Sequence, residues 1–297
     1  MTPGRSYTQH PTTRRKDAVS TQSTRAKGLD YQNKTLHLLA RLGYATTRQI
    51  ARGVWGKVTA STKKMATRTL NALLKAGLLV ERREDVNSDR MVALTKAGVE
   101  RLRTVVGFGL VNGRPHARDW LRHAHDHRTA ANSVFVAGAD YGFDIEMERD
   151  DWLGLTELEI RGDDQTLLRE AWCDYRSSEG KKERKLADAV LYRDGRPIWV
   201  EVENCDRGTS DMSKCVDWLR AMYTKRQPEA EQVWFVITAP GAARIGRRLK
   251  AALTPGDFVS DARPRQAKEL DERILRERRV RVFSLDADTL ELTELPL

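Results

Sequence analysis

The sequence predicts an α/β chain, in which a small α+β unit of helices and one hairpin precedes a mixed sheet flanked by helices. Three observations predict it. Leu186 to Glu203 (LADAVLYRDGRPIWVEVE) reads as two β-rich runs around Asp194-Gly195, a dipeptide suited to a two-residue type I′ turn because both central residues need positive φ. Helical apolar spacing alternates with short apolar runs on both sides of that hairpin. Charge is segregated along the chain. Residues 1–29 carry six Lys/Arg against Asp17 alone, and residues 30–105 carry fifteen against six Asp/Glu, so the rest of a chain of net charge +10 is mildly acidic, at −4. A basic front and an acidic back fit a nucleic-acid anchor attached to a separate chemical or structural domain.

A length of 297 residues suits two domains with a sizeable core. No apolar run approaches the roughly 20 residues needed to cross a bilayer. The N-terminus lacks the apolar core of a signal peptide, so a cytoplasmic protein is expected. Cys173, Cys205 and Cys215 show no CxxC spacing, which suits a reducing compartment and argues against a thiolate zinc site.

Taken in order, residues 1–29 are too polar to bury themselves and read as a flexible basic tail. A first helix over 30–43 buries Leu36, Leu39 and Ala40. Thr46 or Thr47 caps a second helix, with Ile50, Ala51 and Val54 inward. Ser61 or Thr62 caps a third, in which Ala66, Leu70, Leu73 and Leu74 recur at helical spacing, ending at Ala76-Gly77. Its other face holds Lys63, Lys64, Thr67, Arg68, Asn71 and Lys75. Strands Leu78–Arg83 and Arg90–Leu94 enclose a polar tip at Glu84–Asp89, and a Thr95-capped helix covers 96–105. Residues 106–115 read as a linker, and Asp119–Ala137 as a helix. Ile145–Trp152 reads as a strand, with an irregular strand pair around Leu155–Ile160 and Leu167–Tyr175. After the 186–203 hairpin come a helix from Thr209 or Ser210 to about Lys225, a buried strand Val233–Thr238 and an amphipathic helix Ala242–Leu253. A Pro-interrupted loop with a short charged helix fills 254–278, and Val280–Ser284 is the last expected strand.

If the Asp194-Gly195 turn forms, facing residues of the hairpin have numbers summing to 389, which sets Asp188 opposite Glu201 at a Cβ distance of about 5 Å. Glu203 shares the face of Glu201 because strand side chains alternate. Three carboxylates converge, while Ala187, Ala189, Leu191, Ile198, Val200 and Val202 form an apolar opposite face. Hard oxygen ligands of this kind suit Mg²⁺ or Mn²⁺, which can activate water and neutralise charge at a phosphodiester. The alternative is a solvated or salt-bridged carboxylate face. Of the histidines, His123 and His125 form a His-Ala-His triplet, but the surrounding helical spacing points them about 200° apart. His123 and His127 share a helix face instead.

The order of elements in residues 30–105 resembles the winged helix-turn-helix domain. The resemblance implies that the third helix enters the major groove of double-stranded DNA, with Arg82, Arg83 and Arg90 on the wing meeting phosphates. The later order, with Asp188 on one strand and Glu201-Val202-Glu203 on the next, resembles the PD-(D/E)XK nuclease core. Glu203 stands where that core usually has a lysine, and Lys214 or Lys225 on the following helix could supply one. Together with HAHDHRTAANSVFVA and WVEVENCDRGTSDMSKCVDWLRAMY, these features resemble the replication-relaxation family and the related MobC-type plasmid mobilisation relaxases. That implies residues 116–297 form a restriction-endonuclease-like domain with Asp188, Glu201, Glu203, Lys214 and His127 as site residues. It also implies a mobile-element protein acting at a plasmid transfer or replication origin, as an Mg²⁺- or Mn²⁺-dependent nicking enzyme. The alternative is a relaxosome accessory factor or a transcriptional or replication regulator, with a second copy of the chain or relaxosome proteins as partners and no membrane.

Overall fold

The computed structural model describes residues 23–83, 89–106, 126–139, 154–162, 169–193, 196–225, 230–254 and 265–297. Several expectations lie wholly or partly outside these residues: the tail 1–29 up to residue 22, the linker 106–115 beyond residue 106, His116, the start of the helix Asp119–Ala137 with His123 and His125, the strand Ile145–Trp152, and the Pro-interrupted loop at 255–264. The wing tip 84–88 and the Asp194-Gly195 turn itself also lie outside.

Helices α1 (Thr24–Leu42), α2 (Thr47–Trp55) and α3 (Ala60–Lys75) precede the hairpin β2 (Leu79–Arg82) and β3 (Met91–Leu94), and α4 (Lys96–Val106) follows. A two-residue strand β1 (Ala45–Thr46) pairs antiparallel with β3, which gives the sheet order β1-β3-β2. Thr46 and Gln49 form a capping box that starts α2. The cap of α3 is Thr59 rather than Ser61 or Thr62. Its hydroxyl accepts from the Thr62 amide while the Thr62 hydroxyl accepts from the Thr59 amide, so Thr62 is the third residue of the box. Helix α1 starts before the expected Asp30, with Ser23 as its cap.

Beyond them, α5 (Asp126–Gly138) leads to β4 (Gly154–Leu155) and α6 (Glu157–Gly162). Strands β5 (Trp172–Arg176), β6 (Lys182–Leu186), β7 (Ala189–Arg193) and β8 (Arg196–Glu203) follow. Then come α7 (Thr209–Lys225), β9 (Gln232–Ile237), α8 (Ile245–Leu253), α9 (Arg265–Arg276), β10 (Val280–Leu285) and β11 (Leu292–Leu295). The main sheet has the order β11-β10-β9-β8-β7-β4, with β8, β9 and β10 parallel and the other neighbours antiparallel. The class is α/β. The expected pair of Leu155–Ile160 with Leu167–Tyr175 is corrected: β4 pairs with β7, residues 157–162 are helical, and β5 pairs with the charged β6. Strand β11 was not expected, since its sequence LTEL carries only a short alternation.

Both faces of the β7–β8 hairpin are covered. One apolar cluster joins Ala189, Leu191, Ile198, Val200 and Val202 to α5 and onward to Leu36, Leu39, Ile50, Leu70 and Leu102. The other joins Val190, Trp199, Val233 and Phe235 to Cys215, Trp218 and Leu219 of α7 and Leu249 of α8. Ala187 belongs to the second cluster, not the first. Its N–H donates to Ala171 O, so the chain at 187 is still held by the β5–β6 hairpin before it enters β7.

The front unit and the sheet share polar contacts as well as a core. Arg41 makes a two-point ion pair with Glu159 and donates to Gly154 O. Asn132 Nδ2 donates to Leu42 O and Tyr44 O, and Gln49 Nε2 to Thr129 O and Ser133 Oγ. Both groups meet on α5, whose first turn carries His127.

Candidate functional site

The hairpin register is the expected one. Ala189 faces Val200 and Arg193 faces Arg196, with pair numbers summing to 389, and Asp188 N–H donates to Val200 O. Asp188, Glu201 and Glu203 therefore lie together, at the end of β8 where its parallel neighbours also end. All three are buried. The β8 strand is interior to the sheet, not an edge, and α7 closes its carboxylate face. Trp199 stacks on Trp218 at 5.6 Å, and its Nε1–H donates to Glu201 Oε1 at 2.7 Å, as strand alternation places residues 199 and 201 side by side.

Each carboxylate has a distinct set of partners. Asp188 Oδ2 accepts from Val202 N–H at 2.9 Å, and Oδ1 lies 3.1 Å from His127 Nε2. Glu201 Oε2 meets Lys185 Nζ at 2.7 Å and Arg207 Nη2 at 3.4 Å. Glu203 is gripped by Arg207, through Nε at 2.8 and 2.9 Å and through Nη2 at 2.5 Å. Arg207 is itself held because Arg248 of α8 donates to its carbonyl oxygen.

The protonation states follow from these contacts. Full burial pushes the Glu201 carboxyl up to about 7, with nearby Asp188 adding to the rise and Lys185 and Arg207 opposing it. Burial also raises Glu203, against the pull of the Arg207 bonds. For Asp188, burial is outweighed by the His127 bond, by Lys185 and by the Val202 amide, so its carboxyl sits below the usual range. The bond to Asp188 raises His127. Burial would lower Lys185, but Glu201 and Asp188 hold it above its ordinary value. The cluster thus contains one carboxyl that titrates near neutrality beside a lysine fixed as ammonium.

The residues named from sequence separate into two groups. Asp188, Glu201, Glu203 and His127 come together as expected. Lys214, half-buried in the second turn of α7, makes no hydrogen bond or ion pair with them among the described residues. The ammonium beside the carboxylates is that of Lys185, and the guanidinium is that of Arg207. Neither was expected. Lys185 ends a charged stretch, Glu179–Lys185 (EGKKERK), and its position three residues before Asp188 is the signal that could have found it. Arg207 follows Glu203 by four residues, in a loop whose path only the fold determines.

The expected Mg²⁺ or Mn²⁺ does not fit this arrangement. Every oxygen of the three carboxylates already has a protein partner, two of them fixed cations. Among the described residues no group of three or more His, Cys, Asp or Glu side chains is placed to hold a metal ion.

On the front unit, Lys63, Lys64, Thr67, Arg68, Asn71 and Lys75 lie exposed along α3. The four cations make no ion pair among the described residues. Arg83 is exposed and Arg82 half-buried at the end of β2. Arg90, expected to face phosphates, turns inward. It is buried and donates to Asn71 Oδ1 at 2.8 Å and to Glu81 at 3.1 Å, because β3 places it against the helix-facing side of the hairpin. No helix among the described residues is long and apolar enough to cross a membrane. No protein-family model, curated protein or solved structure matches this chain.

Proposed function

We propose that this chain is a double-stranded-DNA-binding protein of a mobile genetic element, acting at a plasmid transfer or replication origin through residues 30–105 as a winged helix-turn-helix. The supporting observation is the exposed, acid-free face of α3. Among the described residues Lys63, Lys64, Arg68 and Lys75 make no ion pair, and Thr67 and Asn71 stand among them at groove-facing spacing. In this reading the C-terminal α/β unit serves as an assembly or positioning domain of a relaxosome accessory factor or regulator. Closure of all three carboxylates by Lys185, Arg207, His127 and Trp199 favours it, since a cluster neutralised from within needs no added cation.

The second reading is a strand-nicking enzyme. Glu201 near 7 beside a fixed ammonium favours it, as proton transfer at neutral pH needs such a carboxyl. A supercoiled plasmid carrying the cognate origin separates the two. In the first reading, band shifts are strong and the plasmid stays supercoiled with or without Mg²⁺ or Mn²⁺. Conversion to open circles, abolished by Glu201→Gln, establishes the second. Absence of any band shift overturns both.

A further inference from the structure

We infer that the N-terminal half of α8 is a second DNA contact, a phosphate-binding tract formed by Arg244 and Arg247 at the edge of the sheet where β8, β9 and β10 end. The inference rests on the DNA-binding reading above and adds to it a path for the duplex beyond the winged helix.

Three observations carry it. The first is charge. Residues 239–254 hold Arg244, Arg247, Arg248 and Lys250 and no Asp or Glu, within a region of the chain that is acidic overall. Helix α8 buries Ile245, Gly246, Leu249 and Leu253, which sets the basic residues on its outer side. The side chains of Arg244 and Arg247 are exposed and make no ion pair or hydrogen bond among the described residues. Arg248 and Lys250 are already engaged, with Asp206 and Arg207 O and with Leu297 O. Two such guanidiniums three residues apart, one on the N-cap of α8 and one in its first turn, repel each other and favour an anion.

The second observation is position. Arg248 reaches the 206–207 loop, and Arg244 lies one turn before it on the same helix face. The tract therefore borders the loop that carries Arg207 and closes the carboxylate cluster. The third is alignment with the front unit. Arg48 at the start of α2 pairs with Asp89 at the base of the wing at 2.8 Å. It also bonds Ala287 O and Asp288 in the turn after β10. The wing base and the ends of the parallel strands are thus tied to one edge of the molecule, the edge that α8 enters. A duplex that leaves α3 and the hairpin along this edge would bring its backbone to Arg244 and Arg247.

The test uses the full chain and random-sequence duplexes, read by fluorescence anisotropy across a salt series. On a duplex of about four helical turns, Arg244→Gln/Arg247→Gln makes the slope of log K against log salt shallower by about 2, the loss of two phosphate contacts. On a duplex of about one turn, which the winged helix alone covers, the double variant matches the wild type. Equal slopes on the long duplex overturn the second contact. Lys64→Ala/Arg68→Ala is the companion variant. If it weakens binding on both duplexes while Arg244→Gln/Arg247→Gln weakens neither, the DNA-binding reading stands and α8 is excluded. If the wild type binds neither duplex, both ideas fall. Both arginines are exposed, so an unchanged thermal transition confirms that the variant is folded.

Discussion

Arg41 and Glu159 form a buried two-point ion pair, Nε to Oε1 at 2.7 Å and Nη2 to Oε2 at 3.0 Å, between α1 of the front unit and α6 of the sheet unit. The pair lies 118 positions apart in sequence. With the bonds of Asn132 and Gln49 it joins the two units, so a single cooperative unfolding transition is expected. Removing one partner leaves an uncompensated buried charge, a loss of roughly 3–5 kcal/mol. Arg41→Met is expected to lower the unfolding free energy by that amount in urea titrations, while Arg41→Met/Glu159→Leu recovers most of it. Two separate unfolding transitions in the wild type would show that the pair does not couple the units.

Arg207 plays the corresponding part inside the carboxylate cluster. Arg207→Gln exposes Glu203 and Glu201 to each other without their shared cation. Stability at pH 8 is expected to fall by about 3 kcal/mol, and adding Glu203→Gln restores roughly half. An effect below about 0.5 kcal/mol, the scale of an exposed pair, would show that solvent already screens the bond.

Two buried groups pull the pH dependence of stability in opposite directions. His37, lowered to about 4 by burial and by Arg41, stays neutral when folded. It contributes stability that is complete above about 6.5 and lost as pH falls through 4. Glu201, raised to about 7, binds its proton more tightly when folded. Its contribution is complete below about 4.5 and lost as pH rises through 7. Each amounts to about 3 kcal/mol by linkage. In the range from about pH 4.5 to 6.5 the two largely cancel in the wild type. Glu201→Gln is expected to make stability rise with pH there, and His37→Gln to make it fall; identical profiles for the two variants would overturn both assignments.

Gly154 gives the edge strand β4 its close approach to β7. A Cβ at this position would lie 2.2 Å from Val190 O, a backbone atom with no room to move. Gly154→Ala is therefore expected to destabilise the chain by about 2 kcal/mol or more, also disturbing the carbonyl that Arg41 binds. A melting temperature equal to that of the wild type would mean that β4 is not held in this register.

DNA affinity is expected to depend on α3 and not on Arg90. Replacing Lys63, Lys64, Arg68 and Lys75 with alanine should flatten the salt dependence of binding by about 3–4 in log–log slope. Arg90→Ala should act on stability instead, since it removes the bonds to Asn71 and Glu81. Salt titrations of both variants on one duplex distinguish the two roles.

Local pattern was enough to determine the α/β class, the hairpin register that sets Asp188 against Glu201, and the basic face of α3. Each rests on near neighbours: alternation along a strand, a two-residue turn, a helical repeat. The convergence of carboxylates was therefore legible before any fold was known, but its state was not. Whether those carboxylates stay solvated, take a cation or are closed from within depends on Lys185 arriving from β6, His127 from α5, Arg248 steadying the loop of Arg207, and α7 excluding water. These contacts join segments with no shared periodicity, and burial, which sets the Glu201 carboxyl near 7, is a property of the packed layers alone. Tertiary structure likewise turned Arg90 inward and bound the front unit to the sheet through Arg41. Charges are placed by sequence, but what they meet is decided by packing.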